Sequence, residues 1–380
     1  MIVGIAKESV SGERRVAIVP DIVKALIKKG HEVRYQRGAG VAAGHPDAQY
    51  DEAGATAVSS FEELASSSDI ITKLQAPTDA EQAALSSRNT VFSLLRPLDE
   101  AERIAALAAR GVTAFSLELM PRITRAQSMD VLSSQSTVAG YRAVLLAASS
   151  LPRILPMMVT AAGTLQPAKV LVIGAGVAGL QALGTAKRLG AITLSYDTRA
   201  AVKEQVESLG AKFVELNLDT GNSEDSGGYA KAQTEEFYER QRAELAKHIA
   251  GCDIVITTAL VPGQPAPRLV TEDAVRAMKP GSVVVDLAAE KGGNCDCTVQ
   301  DQDVVAHGVT IIGRTNLPAE IPQHASQMFA KNLFTFLDHL FDEEGKLQVD
   351  LEDEITKGTL VAQGGKVVHA MLLARLGSQS

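Results

Sequence analysis

Cysteine is scarce in this chain. The three present, Cys252, Cys295 and Cys297, cannot make a disulfide framework, and a reduced cytosolic setting fits them best. Two thiols one residue apart at Cys295 and Cys297, with no third ligand nearby in sequence, read as packing rather than as a metal site. Positive charge is not in surplus either. Lysine and arginine number 37 against 45 acids, a net charge of −8 with no basic block, which argues against nucleic acid as the main partner. A long apolar run is also missing. A membrane-spanning helix needs about 20 uninterrupted apolar residues, and the longest candidate, residues 139–163, is broken by Arg142, Pro152, Arg153 and Pro156. The first residues, Met1-Ile2-Val3-Gly4-Ile5-Ala6-Lys7-Glu8, lack the basic start and apolar core of a signal peptide. The expected setting is therefore cytoplasmic, with any membrane link made through partners.

What is present is alternation. At 380 residues and 46% hydrophobic, the chain exceeds the size at which one core stops growing, so two domains are expected. An apolar run at residues 2–5 predicts a buried strand, and a helical pattern from Pro20 closes at Gly30. Further strands are predicted at 32–35, 70–73, 90–93 and 112–115. The pattern restarts after Pro167, with strands at 170–173, 193–196, 212–214, 254–257, 282–286 and 309–312. Strands alternating with helices predict parallel sheets covered on both faces. The fold class is thus α/β, with two doubly wound, Rossmann-like domains. The first is expected at residues 1–130 and the second at 131–320. From about 320 to 380 the chain carries an apolar-periodic helix (Met328, Leu333, Phe336, Leu337, Leu340) and a hairpin candidate, 359–363 and 366–368, around Gly364 and Gly365. This tail is expected to rejoin the first domain. The polar, acidic stretch 217–228 reads as an exposed mobile loop.

The second domain opens on Val170-Leu171-Val172-Ile173 followed by Gly174-Ala175-Gly176-Val177-Ala178-Gly179. Gly174 permits a tight strand-to-helix turn, Gly176 lets a pyrophosphate approach the backbone, and Gly179 lets helix and strand pack closely. The helix start at Val177 offers unpaired N–H groups to phosphate. Asp197 ends the next strand, in place to take the adenosine ribose hydroxyls, and a carboxylate there favours NAD over NADP. Thr198 and Arg199 follow. Arg199 would either hold a phosphate or, on the plainer reading, lie on the adenine or pair with Asp197. A second glycine cluster, Gly38-Ala39-Gly40-Val41-Ala42-Ala43-Gly44, has one residue too many and is followed by His45-Pro46, so a plain turn is expected there.

Between the domains lies Met120-Pro121-Arg122-Ile123-Thr124-Arg125-Ala126-Gln127-Ser128-Met129-Asp130, leading into residues 131–142. Read from its residues alone, it is a polar connector entering a helix at a domain junction, where ligand clefts form. The segment closely resembles the connector of the NAD(H)-binding component of proton-translocating transhydrogenases. The resemblance continues through 174–190, 203–206, 228–231, 257–263 and 292–295 and covers nearly the whole chain. It implies that Arg122, Gln127, Asp130 and Ser133 hold the nicotinamide and its ribose, with Ile123, Thr124, Ser128 and Met129 in the same binding segment. It implies that Gln127 also reaches toward the second nucleotide. Gly228 and Tyr229 would lie in a loop closing over NAD(H), and Gln241 and Leu260 would line the cleft. The family works as a homodimer beside an NADP(H)-binding component and a membrane component that conducts protons. Hydride would pass directly between the two nicotinamides, a positioning task in which no proton need be removed from a substrate carbon.

The rival is an alanine dehydrogenase, which the segments around Lys7-Glu8, residues 13–17 and 72–74 also resemble. In that family residues at the positions of Arg15 and Lys73 bind the substrate carboxylate, and a histidine falls within the segment matching 91–97. Here that segment holds no histidine, and Leu94 takes the approximate place. Amino-acid oxidation needs a proton acceptor near the amine, so Arg15 and Lys73 are expected to be structural.

Overall fold

The computed structural model describes residues 1–216, 234–261 and 263–377. By internal contacts the chain divides into two units, Met1–Gln135 with Ala319–Ser380, and Ser136–Pro318. The second is therefore an insertion in the first.

The first unit begins with β1 (Ile2–Ile5), β2 (Glu32–Gln36), β3 (Thr56–Val58), β4 (Ile70–Gln75), β5 (Thr90–Leu94) and β6 (Thr113–Ser116), which lie parallel in the order β6-β5-β4-β1-β2-β3. Near-continuous apolar runs suit strands covered on both faces. In β4 even Thr72 and Lys73 are fully buried. The helix Pro20–Lys28 starts on proline, carries Asp21 in its first turn and Lys28 in its last, and buries Ile22, Val23 and Leu26. Gly30 beyond it has φ +86°, the left-handed geometry glycine allows without cost. The Gly38–Gly44 cluster forms a turn with a short 3₁₀ segment, and a helix begins only after Pro46.

The second unit carries a small hairpin, β7 (Met158–Thr160) and β8 (Gly163–Leu165), and then seven strands. These are β9 (Lys169–Ile173), β10 (Ile192–Tyr196), β11 (Lys212–Phe213), β12 (Ile254–Thr257), β13 (Val283–Asp286), β14 (Asp303–Ala306) and β15 (Val309–Ile312). Their order is β11-β10-β9-β12-β13-β15-β14, with β14 alone antiparallel at the edge. The chain then returns to the first unit. The helix Pro322–Leu340 buries Phe329, Leu333, Phe336, Leu337 and Leu340 there. Phe336 meets Phe92 and Phe115 edge-on, each at 5.7 Å between ring centres. Finally β16 (Leu360–Gln363) pairs antiparallel with β6, and β17 (Lys366–Val367) with β16, across Gly364 and Gly365 at φ +60° and +81°. Thr359, expected in the strand, ends the preceding helix Glu354–Thr359. Among the described residues no helix is long and apolar enough to cross a membrane.

Candidate nucleotide site and connector

The glycine turn after β9 has three glycines with three different reasons. Gly174 has φ +101°, and a Cβ on it would lie 2.5 Å from Thr258 Oγ1. A Cβ on Gly179 would lie 1.9 Å from the Gly174 carbonyl, so only glycine lets the helix Val177–Arg188 pack this close. Around Gly176 there is nothing within 4 Å of that position. Open space at this backbone is what an approaching pyrophosphate requires. Gly176 caps the helix with no side-chain hydrogen bond, so its first N–H groups and the positive end of its dipole remain for an anion. Ala175 is buried and Val177 exposed. The helix Val131–Ser150 presses Gly140 against the same turn, where a Cβ would lie 2.1 Å from the Ala178 carbonyl.

Sheet order places a crevice here. From β9 the chain passes to β10 on one side and later to β12 on the other, so strand order reverses at β9, where ligands of doubly wound sheets bind. Asp197, at the end of β10, is 8% exposed. Its Oδ2 accepts the Ala175 N–H at 2.7 Å, and Oδ1 accepts the Arg199 backbone N–H at 2.9 Å. The Arg199 side chain clasps the same carboxylate through Nε at 2.9 Å and Nη2 at 2.7 Å. Of the alternatives for Arg199, the structure shows the ion pair with Asp197. Thr198 between them is half-buried. Leu260 is exposed. Gln241 is only 1% exposed and donates Nε2–H to the phenolic oxygen of Tyr196 at 2.9 Å, so its side chain supports β10 from within rather than lining an open surface. Gly228 and Tyr229, with the loop expected at 217–228, lie outside the described residues.

In the first unit the connector runs through a 3₁₀ segment, Thr124–Met129. Ala126 and Met129 are buried in that unit's core and Ile123 packs against it. Met129, expected in the binding segment, thus spends its side chain on packing, because the 3₁₀ turn aims it inward. Arg122, Thr124, Gln127 and Ser128 are exposed. Asp130 caps the helix that follows: Oδ1 accepts the Ser133 N–H at 2.9 Å and Oδ2 the Ser133 hydroxyl at 2.6 Å. Three residues that the sequence did not single out brace the connector. Asn332 donates to the Ser128 carbonyl at 2.8 Å, and Asp353 accepts from Arg125 at 3.0 Å while lying 2.9 Å from His339 Nε2. Burial pushes the Asp353 carboxyl up, but His339, Thr356 and Arg125 hold it well below the usual carboxylate range. Only a long-range contact reveals such braces; no local motif marks them.

Arg15 and Lys73 belong to a buried ionic cluster in the same unit. Arg15 grips Glu13 through Nε at 2.8 Å and Nη2 at 2.6 Å, and donates Nη1–H to Gln135 at 2.8 Å. Lys73 Nζ bonds Glu81 at 2.8 Å and lies 3.7 Å from Glu8. Burial would raise the Glu13 carboxyl, but the Arg15 guanidinium holds it down at about 2. Glu8 goes the other way: burial outweighs the attraction of Lys73 and pushes it up to about 7.

Two doubly wound units, one of them with a glycine turn, an uncapped helix start and an acid at the end of the neighbouring strand, define a Rossmann-type protein built for a dinucleotide. Residues 4–139 match the family model "Alanine dehydrogenase/PNT, N-terminal domain" and residues 143–370 its C-terminal counterpart. The chain belongs to the alanine dehydrogenase/PNT family. It is 48% identical to an NAD(P) transhydrogenase alpha subunit of Rhodospirillum rubrum, over 98% of this chain and 99% of that one. It is 29% identical to an alanine dehydrogenase of Mycolicibacterium smegmatis, over 97% and 95%. A solved transhydrogenase from Sinorhizobium meliloti superposes with a TM-score of 0.85 at 45% identity, covering 98% of this chain and all of that one. An L-alanine dehydrogenase structure reaches 0.84 at 25% identity, covering both chains fully.

Proposed function

We propose that the chain is the NAD(H)-binding subunit of a proton-translocating transhydrogenase, acting as an oxidoreductase only beside partner components. The observation that carries the cofactor is Asp197, a buried acid whose carboxylate is fastened to the glycine turn through Ala175. Asp197 and the turn would hold the adenosine ribose and the pyrophosphate. The near full-length similarity to transhydrogenase alpha subunits supports the rest. When bound, NAD(H) supplies or accepts a hydride at its nicotinamide C4.

The chain's own residues bind and orient. Arg122, Thr124, Gln127 and Ser128 present guanidinium, hydroxyl and amide groups on the exposed side of the connector, and these would hold the nicotinamide and its ribose. Asp130 and Ser133 lock one another at the helix start and fix the direction in which the connector leaves it. Gln127 would extend toward the NADP(H) carried by a partner, with Tyr229 and Gly228 closing over the bound dinucleotide. None of these groups has to move a proton at a reacting carbon, which suits direct hydride transfer. The assembly would be a homodimer of this chain with an NADP(H)-binding component, held at the inner membrane face by a proton-conducting membrane component.

The alanine dehydrogenase reading is disfavoured by Leu94. It stands where that family's histidine falls, and it packs against the first unit's core. Binding of NADH and NADPH, turnover of alanine or pyruvate, and hydride transfer with an added NADP(H)-binding component test the proposal together. The expected outcome is a strong preference for NADH, no amino-acid turnover, and transfer only with the partner. Deamination of alanine by the purified chain, or indifference to NADH, would refute it.

A further inference from the structure

Asp286 and Asn294 have no role in the site so far, yet neither has any exposed surface. Asp286 ends β13, and four donors converge on its carboxylate. Oδ1 accepts from Thr257 Oγ1 at 2.9 Å and from the Ala288 N–H at 3.0 Å. Oδ2 accepts from the Cys295 N–H at 3.0 Å and Thr298 Oγ1 at 2.7 Å. One acid thus ties the end of β12 to the loop that follows β13. Asn294 lies in that loop and reaches back across the sheet's edge. Its Oδ1 accepts the Ala259 N–H at 3.0 Å, while Nδ2 donates to the Ala259 carbonyl at 2.9 Å and the Pro267 carbonyl at 2.8 Å. Every hydrogen-bonding hydrogen of the amide is used, and its partners are the two ends of the loop 259–267. Thr258, just before that loop, donates its hydroxyl to the Gly174 carbonyl at 2.9 Å. An unbroken chain of contacts therefore runs from Asp286 through Asn294 and Ala259 to the glycine turn.

Sheet order says which part of a ligand this chain of contacts serves. Asp197 marks the β10 side of the turn, and the loop 259–267 leaves β12 on the opposite side. A dinucleotide with its ribose at Asp197 and its pyrophosphate at Gly176 extends its other half past the end of β12. We propose that Asn294, held in register by Asp286, is a positioning residue: it fixes the backbone of residues 258–260 against the nicotinamide half of the dinucleotide without touching it. This rests on the NAD(H) reading above.

The experiment compares the full chain with Asn294→Ala, measuring affinity for NADH and for AMP, which probes the adenosine side alone. NADH affinity is expected to fall about tenfold with AMP affinity unchanged. Equal losses for both ligands would show general loosening of the second unit, and an unchanged NADH affinity would show no role at all; either overturns the proposal. Should Asn294→Ala fail to fold, Thr258→Val removes one hydroxyl from the same chain of contacts. It should give the same split, about threefold on NADH, and an equal or absent effect again overturns it. A wild-type chain that binds AMP but not NADH refutes instead the NAD(H) reading on which this rests.

Discussion

Two glycines on helices of the second unit make opposite predictions for one chemical change. Gly184 lies within the helix Val177–Arg188, and a Cβ there meets nothing within 4 Å. Alanine at this position removes backbone entropy from the unfolded chain and should stabilise the unit by about 1 kcal/mol. Gly140 lies within the helix Val131–Ser150 and gains the same amount, but its Cβ would lie 2.1 Å from the Ala178 carbonyl oxygen. Backbone at that distance cannot rotate away as a flexible side chain would. The two helices must separate by about an ångström, and overpacking of this kind costs about 3 kcal/mol. The net effect of Gly140→Ala is a loss of about 2 kcal/mol, roughly 4–8 °C in the melting of a unit this size. Gly184→Ala should raise the same transition by about 2–4 °C. Ala178 belongs to the glycine turn, so Gly140→Ala should also weaken NADH binding, whereas Gly184→Ala should not. Thermal melts of the two variants, with NADH titrations, decide the matter. If Gly140→Ala melts above the wild type, the close approach of the two helices is not a constraint and the steric argument fails.

Lys73→Met strips the cation from Glu81 and Glu8 inside the first unit, and should cost about 3–5 kcal/mol at neutral pH; a urea midpoint within error of wild type would refute the ion-pair assignment. Glu8 is raised to about 7 from an ordinary 4.5, so the folded state holds its proton more tightly than the unfolded one. That contribution is complete below about pH 4.5 and is lost as pH rises toward 7, about 3 kcal/mol in all. Glu8→Gln should flatten the decline, and urea midpoints at several pH values between 5 and 7.5 that fall alike in both proteins would show that Glu8 is not its source. Glu13, held at about 2, has the opposite sign: its stabilisation is present above pH 4.5 and is lost only as pH falls toward 2. Gln127→Asn should slow hydride transfer in the presence of the partner with little loss of NADH affinity, and a large affinity loss would make Gln127 chiefly a binding group.

The parallel strands were legible because burial on both faces demands apolar runs, and residues 170–173 and 254–257 have little else. The glycine turn was legible because three steric requirements at fixed spacing leave only glycine. Asp303–Ala306 and the hairpin at Met158 and Leu165 were not foreseen, since strands at an edge or exposed on both faces obey no such pattern. Within the candidate site, residue types were readable but their partners were not. Arg199 next to Asp197 was open to two readings until the ion pair was seen. Met129 and Gln241 look like ligand contacts in sequence, and only three-dimensional packing turns them inward. Asn332 and Asp353 brace a connector that lies far earlier in the chain, a relation no local window contains.

The inserted position of the second unit bears on how the chain is made. When β6 leaves the ribosome, its outer edge and the flat stack of Phe92 on Phe115 have no cover, because β16 and Phe336 are encoded only after the insertion. The early half must wait, partly assembled, while an entire second sheet is synthesised and folds. A shortened polypeptide ending near residue 318 would keep the glycine turn yet leave the connector's own unit unfinished, so nucleotide recognition and productive chemistry become available at different moments of synthesis.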